Sequence, residues 1–505
     1  MDVTDSSSNN QIEIKHFQTL VPGLSEEQQK VFNKITRTLT KDLLRMYIGG
    51  ESGTGKSYLI EPLKNWVQSR HGKRAAVATP ALTSACAIGA VTIYRLFRLE
   101  VPYDNNFQEP KYKQLQDQEL ELLQEEFKDV ELIIIDDISL ISNTLLAHIH
   151  LRLCQIFNTP ETKWFGGQNI LLLGDLLLCN KQGPHRLFNK LESQELVDVN
   201  LWELFDYDEL VVNQKHGDYA ALLSRIRLGK FPREDRLVLE SRSTSSSEME
   251  NQEEGADTCL FGTQEQCNKF SEGIAGNYIV SQRVLKAKDK LVCTVPDAIN
   301  IDRHILNDYL GLEELIVVHN WCKVLLTKTT DGIKAGSIGR VLHTYPLNMQ
   351  EPADTINIEF QNYQCIMLQQ TTSSYEISPG ITYERSQFPI KLATSLTFHD
   401  SLGLTINKLG IIRSLTSYSD NIYAALSRVK KADDLLLVDF SINKIYVNQD
   451  VVKEYNRLRR KYRPDLPDLE HAGIIKADWF CARTLTGFLK SEHSYNAIVF
   501  KIADQ

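Results

Sequence analysis

Eight residues near the start of the chain, Gly50-Glu51-Ser52-Gly53-Thr54-Gly55-Lys56-Ser57, carry the densest chemistry in the sequence. They follow a short apolar run at 46–48 and precede a helical run beginning near Tyr58. A glycine-rich loop at a helix N-terminus turns backbone N–H groups toward a phosphate, where the helix dipole also favours negative charge. Gly50, Gly53, Thr54 and Gly55 then form the cradle of an ATP site. Lys56 would reach the β/γ oxygens and the Ser57 hydroxyl would ligate Mg²⁺. A glycine-rich turn followed by a chance Lys-Ser is the bland alternative, and the strand–loop–helix setting counts against it.

Such a loop needs a second carboxylate for the metal at the end of a neighbouring strand. The run Leu132-Ile133-Ile134-Ile135-Asp136-Asp137 supplies one. Asp136 is placed to hold Mg²⁺ through water, and Asp137 stands where a base for the attacking water is expected. Two acids at a strand end also describe a solvated cap, so the pair gains its meaning from the loop some 80 residues upstream.

These groups must be held by α/β layers. The runs at 46–48, 75–78, 132–135, 170–173 and 435–438 are short, rich in Leu or β-branched residues, and separated by helix-length segments. That is the pattern of buried parallel strands. Between about 300 and 385 the pattern changes to short strand-like runs with turn signals at Asp331-Gly332 and Gly336, which reads as a β-rich insertion. The polar residues 1–22 read as a disordered lead and 241–257 as an acidic low-complexity loop. The expected organisation is a P-loop domain over 23–208 with a small insertion near 100–128. A second α/β domain follows over 209–299 and 386–460, interrupted by the 300–385 insertion, and 461–505 forms a C-terminal extension.

The chain has 505 residues, 56 Lys+Arg against 65 Asp+Glu, and 42% hydrophobic residues. That is enough apolar material for several cores, and it excludes collagen-like, coiled-coil and wholly disordered classes. A net charge of −9 argues against tail-driven polyanion binding but leaves room for a local basic channel. The nine cysteines are scattered with no CxxC pair, which is wrong for zinc and for a secreted disulfide framework. No apolar run approaches the ~18 residues of a membrane span. The first twenty residues carry Asp2, Asp5 and Glu13 and no arginine, unlike a mitochondrial presequence, so the expected location is nucleus or cytoplasm.

From Gln28 onward, an ordered series of motifs resembles the Pif-type (petite integration frequency) DNA helicases, which are RecD-like members of helicase superfamily one. The series runs through the P-loop, TPALTSACAIGAVTIYRLFRL at 79–99, IIIDDIS at 133–139, LLLGD at 171–175 and SRIRLG at 224–229. It continues with GSIG at 336–339, FPIKLATSLTFHDS at 388–401 and YAALSRV at 423–429. The resemblance implies two RecA-like domains, the second carrying an SH3-like insertion, with ATP and Mg²⁺ between them and single-stranded or forked DNA across their top. It gives Gln28 to the adenine, Asp175 to the nucleotide, and Arg428 to the γ-phosphate as an arginine finger. Thr79, Thr92, Phe97, Thr397, His399 and Ser401 fall in its strand-contacting motifs. It also implies 5′ to 3′ movement and work in DNA repair, recombination or telomere maintenance.

Departures from the family pattern fall in one class of residue. Asp137 replaces the usual Glu, Leu178 stands where a γ-phosphate-sensing Gln is expected, and Asn213 where a phosphate-contacting Arg is expected. Asp400 and Leu402 replace Lys and Gln, and Tyr94 replaces His. Leucine neither donates nor accepts a hydrogen bond. The groups that bind nucleotide survive and those that sense the γ-phosphate are thinned. Two functions therefore stay open: an ATP-driven DNA helicase, or a nucleotide- and DNA-binding pseudo-helicase with impaired hydrolysis.

Overall fold

The computed structural model describes residues 23–101, 110–178, 185–191, 199–244, 256–276, 278, 281–293, 303–348, 351–360, 363–378, 381–412, 422–438, 440 and 447–470. The expected lead at 1–22, most of the 241–257 loop, Cys179-Asn180 and the tail beyond 470 lie outside them.

The first sheet is built from β1 (Arg45–Gly50), β2 (Arg74–Thr79), β3 (Val91–Thr92), β4 (Val130–Ile135), β5 (Asn169–Leu173) and β6 (Asp206–Leu210). Its order is β3-β2-β4-β5-β1-β6, and every pairing is parallel. Both faces are covered, so β4 and β5 read as unbroken apolar runs, as a doubly covered parallel sheet requires. β1 and β4 end side by side with β5, which brings the P-loop and Asp136 to the same edge of the sheet. That edge is where open α/β sheets bind ligands. The expected domain boundary at 208 falls inside β6.

The second sheet begins with β7 (Ser243–Thr244) and β8 (Thr258–Phe261). The chain then leaves it for β9 (Arg283–Lys286), β10 (Lys288–Cys293), β11 (Leu315–Val318), β12 (Lys323–Leu326), β13 (Ile338–Tyr345), β14 (Thr355–Glu359), β15 (Cys365–Gln369), β16 (Thr371–Ser378), β17 (Ile381–Gln387) and β18 (Ile390–Leu392). These pair antiparallel in three sheets, β15-β14-β13-β12-β18, β10-β17-β16 and β11-β9. The antiparallel region therefore runs from Arg283 to Leu392, wider at both ends than the expected 300–385, because β9, β10 and β18 pair only within it. The chain returns through β19 (Ser395–Thr397), β20 (Leu409–Ile412) and β21 (Leu435–Val438), giving the parallel order β19-β8-β20-β21-β7.

The acidic helix Asp117–Phe127 buries Leu123 and Phe127 completely, so it is an amphipathic cover on the first core. The helix Gln449–Tyr462, expected in the second domain, packs on the first. Val451, Val452, Tyr455 and Leu458 join the apolar core that holds Tyr47, Trp202 and Tyr207. Its polar face is tied to the same domain: Arg459 forks onto Glu209 at 2.6 and 2.7 Å, and Trp202 Nε1 donates to Glu454 at 2.7 Å. The charge run at 457–463, which also reads as a basic patch, is committed inward or to neighbouring acids through Glu209, Glu454, Asp468, Asp208 and Asp465.

Candidate functional site

The P-loop leaves β1 at Gly50 and enters a 3₁₀ turn, Lys56–Leu59, that continues as the helix Ile60–His71. Gly53 and Gly55 adopt φ of 98° and 82°, a region a Cβ disfavours. A Cβ on Gly55 would also run into the amide of Gln28. Gln28 is buried and fully employed: its Oε1 accepts from Ser25 N–H in a helix capping box, and its Nε2 donates to Thr54 O at 3.1 Å. Its observed work is to fasten the first helix to the loop.

Lys56 Nζ donates to Gly50 O at 2.7 Å and Glu51 O at 3.0 Å, inside the curve of the loop. Burial holds its ammonium below the usual range, against the opposing pull of Asp175 and Asp136. Ser57 Oγ donates to Asp136 Oδ2 at 2.5 Å. Burial, then the charge of Asp137, pushes the Asp136 carboxyl up to about 7. A hydroxyl and a buried carboxylate brought together are a hard-oxygen donor set, which fits Mg²⁺. Asp137 takes a left-handed backbone, φ 58°, and its N–H donates to Asp136 Oδ1. Thr54 is buried, with its hydroxyl on Glu51 O at 3.0 Å.

Asp175 is placed close to this cluster but is already taken. Arg227, from the helix Asp218–Arg227 that leads into the second domain, grips it with two hydrogen bonds of 2.7 and 2.8 Å. Tyr455 OH adds a third at 2.8 Å. Burial would raise this carboxyl; the charge and hydrogen bonds of Arg227 prevail and hold it below the usual range. Asp175 acts on Lys56 through its charge, while its own lone pairs join the two domains and the helix Gln449–Tyr462.

Arg428, expected at the γ-phosphate, is held by its own domain. Its guanidinium is buried against its own domain, donating to Ala424 O at 2.8 Å, Ser427 Oγ at 2.7 Å and Ser401 O at 3.3 Å. It remains near enough to feel the charge of Asp137. Second-domain groups that do touch the P-loop include Tyr423, whose hydroxyl accepts from Ser52 N–H at 3.0 Å, and Ser224, whose hydroxyl donates to Glu51 Oε1 at 2.9 Å. Sequence reading missed Tyr423 because a tyrosine in YAALSRV looks like core.

The expected strand-contacting residues are mostly internal. Thr79 donates to Ala81 O, Thr92 caps the short helix Ile93–Phe97, and Thr397 exchanges hydrogen bonds with Asp400. Ser401 Oγ is fully buried on Phe398 O, and Phe97 packs on Phe127 in the core, ring centroids 5.9 Å apart and tilted by 35°. Of the six, only His399 is half-exposed. Thr92 alone among them lines a groove of about 640 Å³ between the first domain and the antiparallel region, whose walls also carry Arg95, Leu310, Lys328, Lys334 and Ser373. The basic group at 225–233 lies elsewhere: Arg225 is paired with Asp235, Arg227 with Asp175, and Lys230 with Glu470.

Leu178 and Leu402, at two expected relay positions, share one apolar cluster with Leu222, Phe398 and Leu404. Leu402 O accepts from Ser84 Oγ of the first domain at 3.0 Å. The polar relay is replaced by a dry contact between the domains.

Residues 23–236 match the family model for PIF1-like helicases. An ATP-dependent DNA helicase Pif1 of Campylobacter jejuni is 26% identical over 448 residues, covering 82% of this chain and 92% of that one. The ATP-dependent DNA helicase PIF1 of Danio rerio is 23% identical, covering 87% of this chain and 64% of the relative. Among solved structures, the Pif1 helicase from Bacteroides in complex with ADP-AlF3 and ssDNA superposes with a TM-score of 0.55 at 20% identity, covering 87% of this chain and 98% of that one. Over 23–236 the sequence matches the PIF1-like helicase model, and over most of its length the α/β fold resembles that of solved Pif1 helicases.

Proposed function

We propose that the chain is an ATP-dependent DNA helicase or translocase that binds Mg-ATP at the P-loop and single-stranded DNA along the groove. The observation that carries this reading is the convergence of Lys56, Ser57 and Asp136 at one sheet edge, facing Tyr423 and Arg428 of the second domain. When bound, Mg²⁺ would neutralise phosphate charge from the Ser57–Asp136 side. This chain's own residues do the remaining work. Loop N–H groups and Lys56 fix the phosphates, Asp137 orients water, and Arg428, swung from its own carbonyls, adds charge only when the cleft closes. Arg95, Lys328 and Lys334 supply phosphate contacts for a nucleic-acid backbone along the groove, so affinity should fall with salt. On the same reading movement runs 5′ to 3′, in DNA repair, recombination or telomere maintenance in the nucleus. Substrates with a 5′ or a 3′ single-stranded tail distinguish the polarity.

The test is steady-state ATP hydrolysis with and without single-stranded DNA. Hydrolysis stimulated by DNA is expected, and Lys56→Ala should lower it by about 10²–10³. A pseudo-helicase that binds without turnover is the second reading, favoured by the dry contact at Leu178 and Leu402. Tight Mg-ATP binding with no DNA-stimulated turnover would select it.

A further inference from the structure

We propose that Lys215 is the cation that meets the terminal phosphate of a bound nucleoside triphosphate, taking over from the arginine expected at position 213. The inference rests on the P-loop reading above and names a group that reading left out.

Residues 213–215 are laid across the loop. Gln214 N–H donates to Gly53 O at 2.9 Å, and Lys215 N–H donates to Asn213 Oδ1 at 2.9 Å. Asn213 itself is spent as a brace, its Nδ2 donating to Glu51 Oε1 at 2.7 Å and Ser52 O at 3.2 Å. It has no charge to offer a phosphate. Lys215 does, and its stem follows the loop: a Cβ built on Gly53 would lie 3.1 Å from both Cγ and Cδ of Lys215. Its ammonium reaches the second domain, 3.4 Å from Ser427 O, one residue before Arg428.

Lys215 therefore spans the same gap that a γ-phosphate would occupy, from the P-loop to the arginine finger. It also brings like charges together. Arg428 and Lys430 both act on the Lys215 ammonium and, after burial, hold it below the usual range. Three cations gathered at a cleft mouth repel one another, and an anion placed among them relieves that cost. A tether to Ser427 O alone is a poor reason for the arrangement, since 3.4 Å is long for an N–H···O bond. A triphosphate supplies the missing charge at the right end of the loop; a diphosphate stops short of it.

The difference between those two ligands is the test. Binding of Mg-AMP-PNP and Mg-ADP is measured by calorimetry for the full chain and for Lys215→Ala, Lys215→Arg and the double variant Asn213→Arg/Lys215→Ala. Loss of a charge-assisted contact should weaken AMP-PNP by about tenfold and leave ADP within about twofold. Lys215→Arg should keep the preference, and Asn213→Arg should restore it in the Lys215→Ala background. Equal weakening of both nucleotides would make Lys215 a brace of the loop, and no weakening of either would remove it from the site; both overturn the proposal. A wild-type chain that bound neither nucleotide would overturn the P-loop reading itself.

Discussion

The two walls of the cleft solve different problems. On the first-domain wall every reactive group is polar and held by its immediate neighbours: Lys56 by carbonyls of its own loop, Ser57 by Asp136. On the second-domain wall Arg428 is folded onto its own domain, and Leu402 belongs to the same apolar cluster as Leu178. The first wall is preorganised for an anion. On the second, Arg428 is held by its own domain, while Tyr423 and Leu402 O already make polar contacts across the cleft. The two walls are thus held by contacts of different kinds.

The strongest link between the walls is the buried pair Arg227–Asp175, backed by Tyr455. Tyr455 continues the network to Tyr47 of β1, hydroxyl to hydroxyl at 3.2 Å. Removing one partner of a buried pair leaves the other charge uncompensated, which costs about 3–5 kcal/mol. Arg227→Ala should therefore lower the unfolding free energy by about that amount in denaturant titration. Replacing both partners, Asp175→Leu with Arg227→Met, should cost less than either single change, because no orphan charge remains. If Arg227→Ala were neutral, the domains would not be joined at this point and the second wall would already be free.

A smaller effect addresses the dry contact. Leu178→Gln and Leu402→Gln each bury an amide in the apolar cluster, at about 1–3 kcal/mol if its hydrogen bonds go unmade. Together the two amides can satisfy each other and approach the polar relay of the family pattern. The double variant should be more stable than the sum of the singles and should raise the ratio of DNA-stimulated to basal ATP hydrolysis. Strict additivity of the two stabilities would show that the leucines do not act as one contact.

The first wall was legible in the sequence because its chemistry is local. A strand, a glycine loop, Lys-Ser and a second strand ending in Asp fix the geometry across the one strand, β5, that lies between them, and the five expected parallel strands all appear. Partners of charged residues were not legible. Arg227 and Arg459 look like members of basic patches, yet each is buried on a carboxylate 52 or 250 residues away. The C-terminal helix follows the second domain in sequence and docks on the first, a choice made by Tyr455 and Leu458 finding the core around Tyr47. Thr92 and Ser401 sit in motifs that resemble DNA contacts, but their hydroxyls are used to cap and turn loops. A motif specifies where a loop goes more reliably than which of its atoms face the ligand.

The smallest expected effect separates the two carboxylates of the first wall. Asp175 is held below the usual range by Arg227, whereas Asp136 is raised to about 7 by burial and by Asp137. A metal held by Ser57 and Asp136 needs the carboxylate, so binding must release whatever proton Asp136 carries. Mg-ATP affinity should then rise by up to about tenfold per pH unit below pH 7 and level off above it. Stability of the ligand-free chain should move the other way. The folded value lies above the ordinary 3.8, so the folded state holds the extra proton between those limits. Asp136 therefore costs nothing below the lower limit and destabilises progressively as pH rises toward 7. Asp136→Asn should flatten both profiles while sparing the Asp175 pair, since Asp175 stays ionised across the window. An affinity that stayed level from pH 6 to pH 8 in the wild type would mean that Asp136 is already ionised before the metal arrives. The two carboxylates would then not differ in the way their neighbours imply.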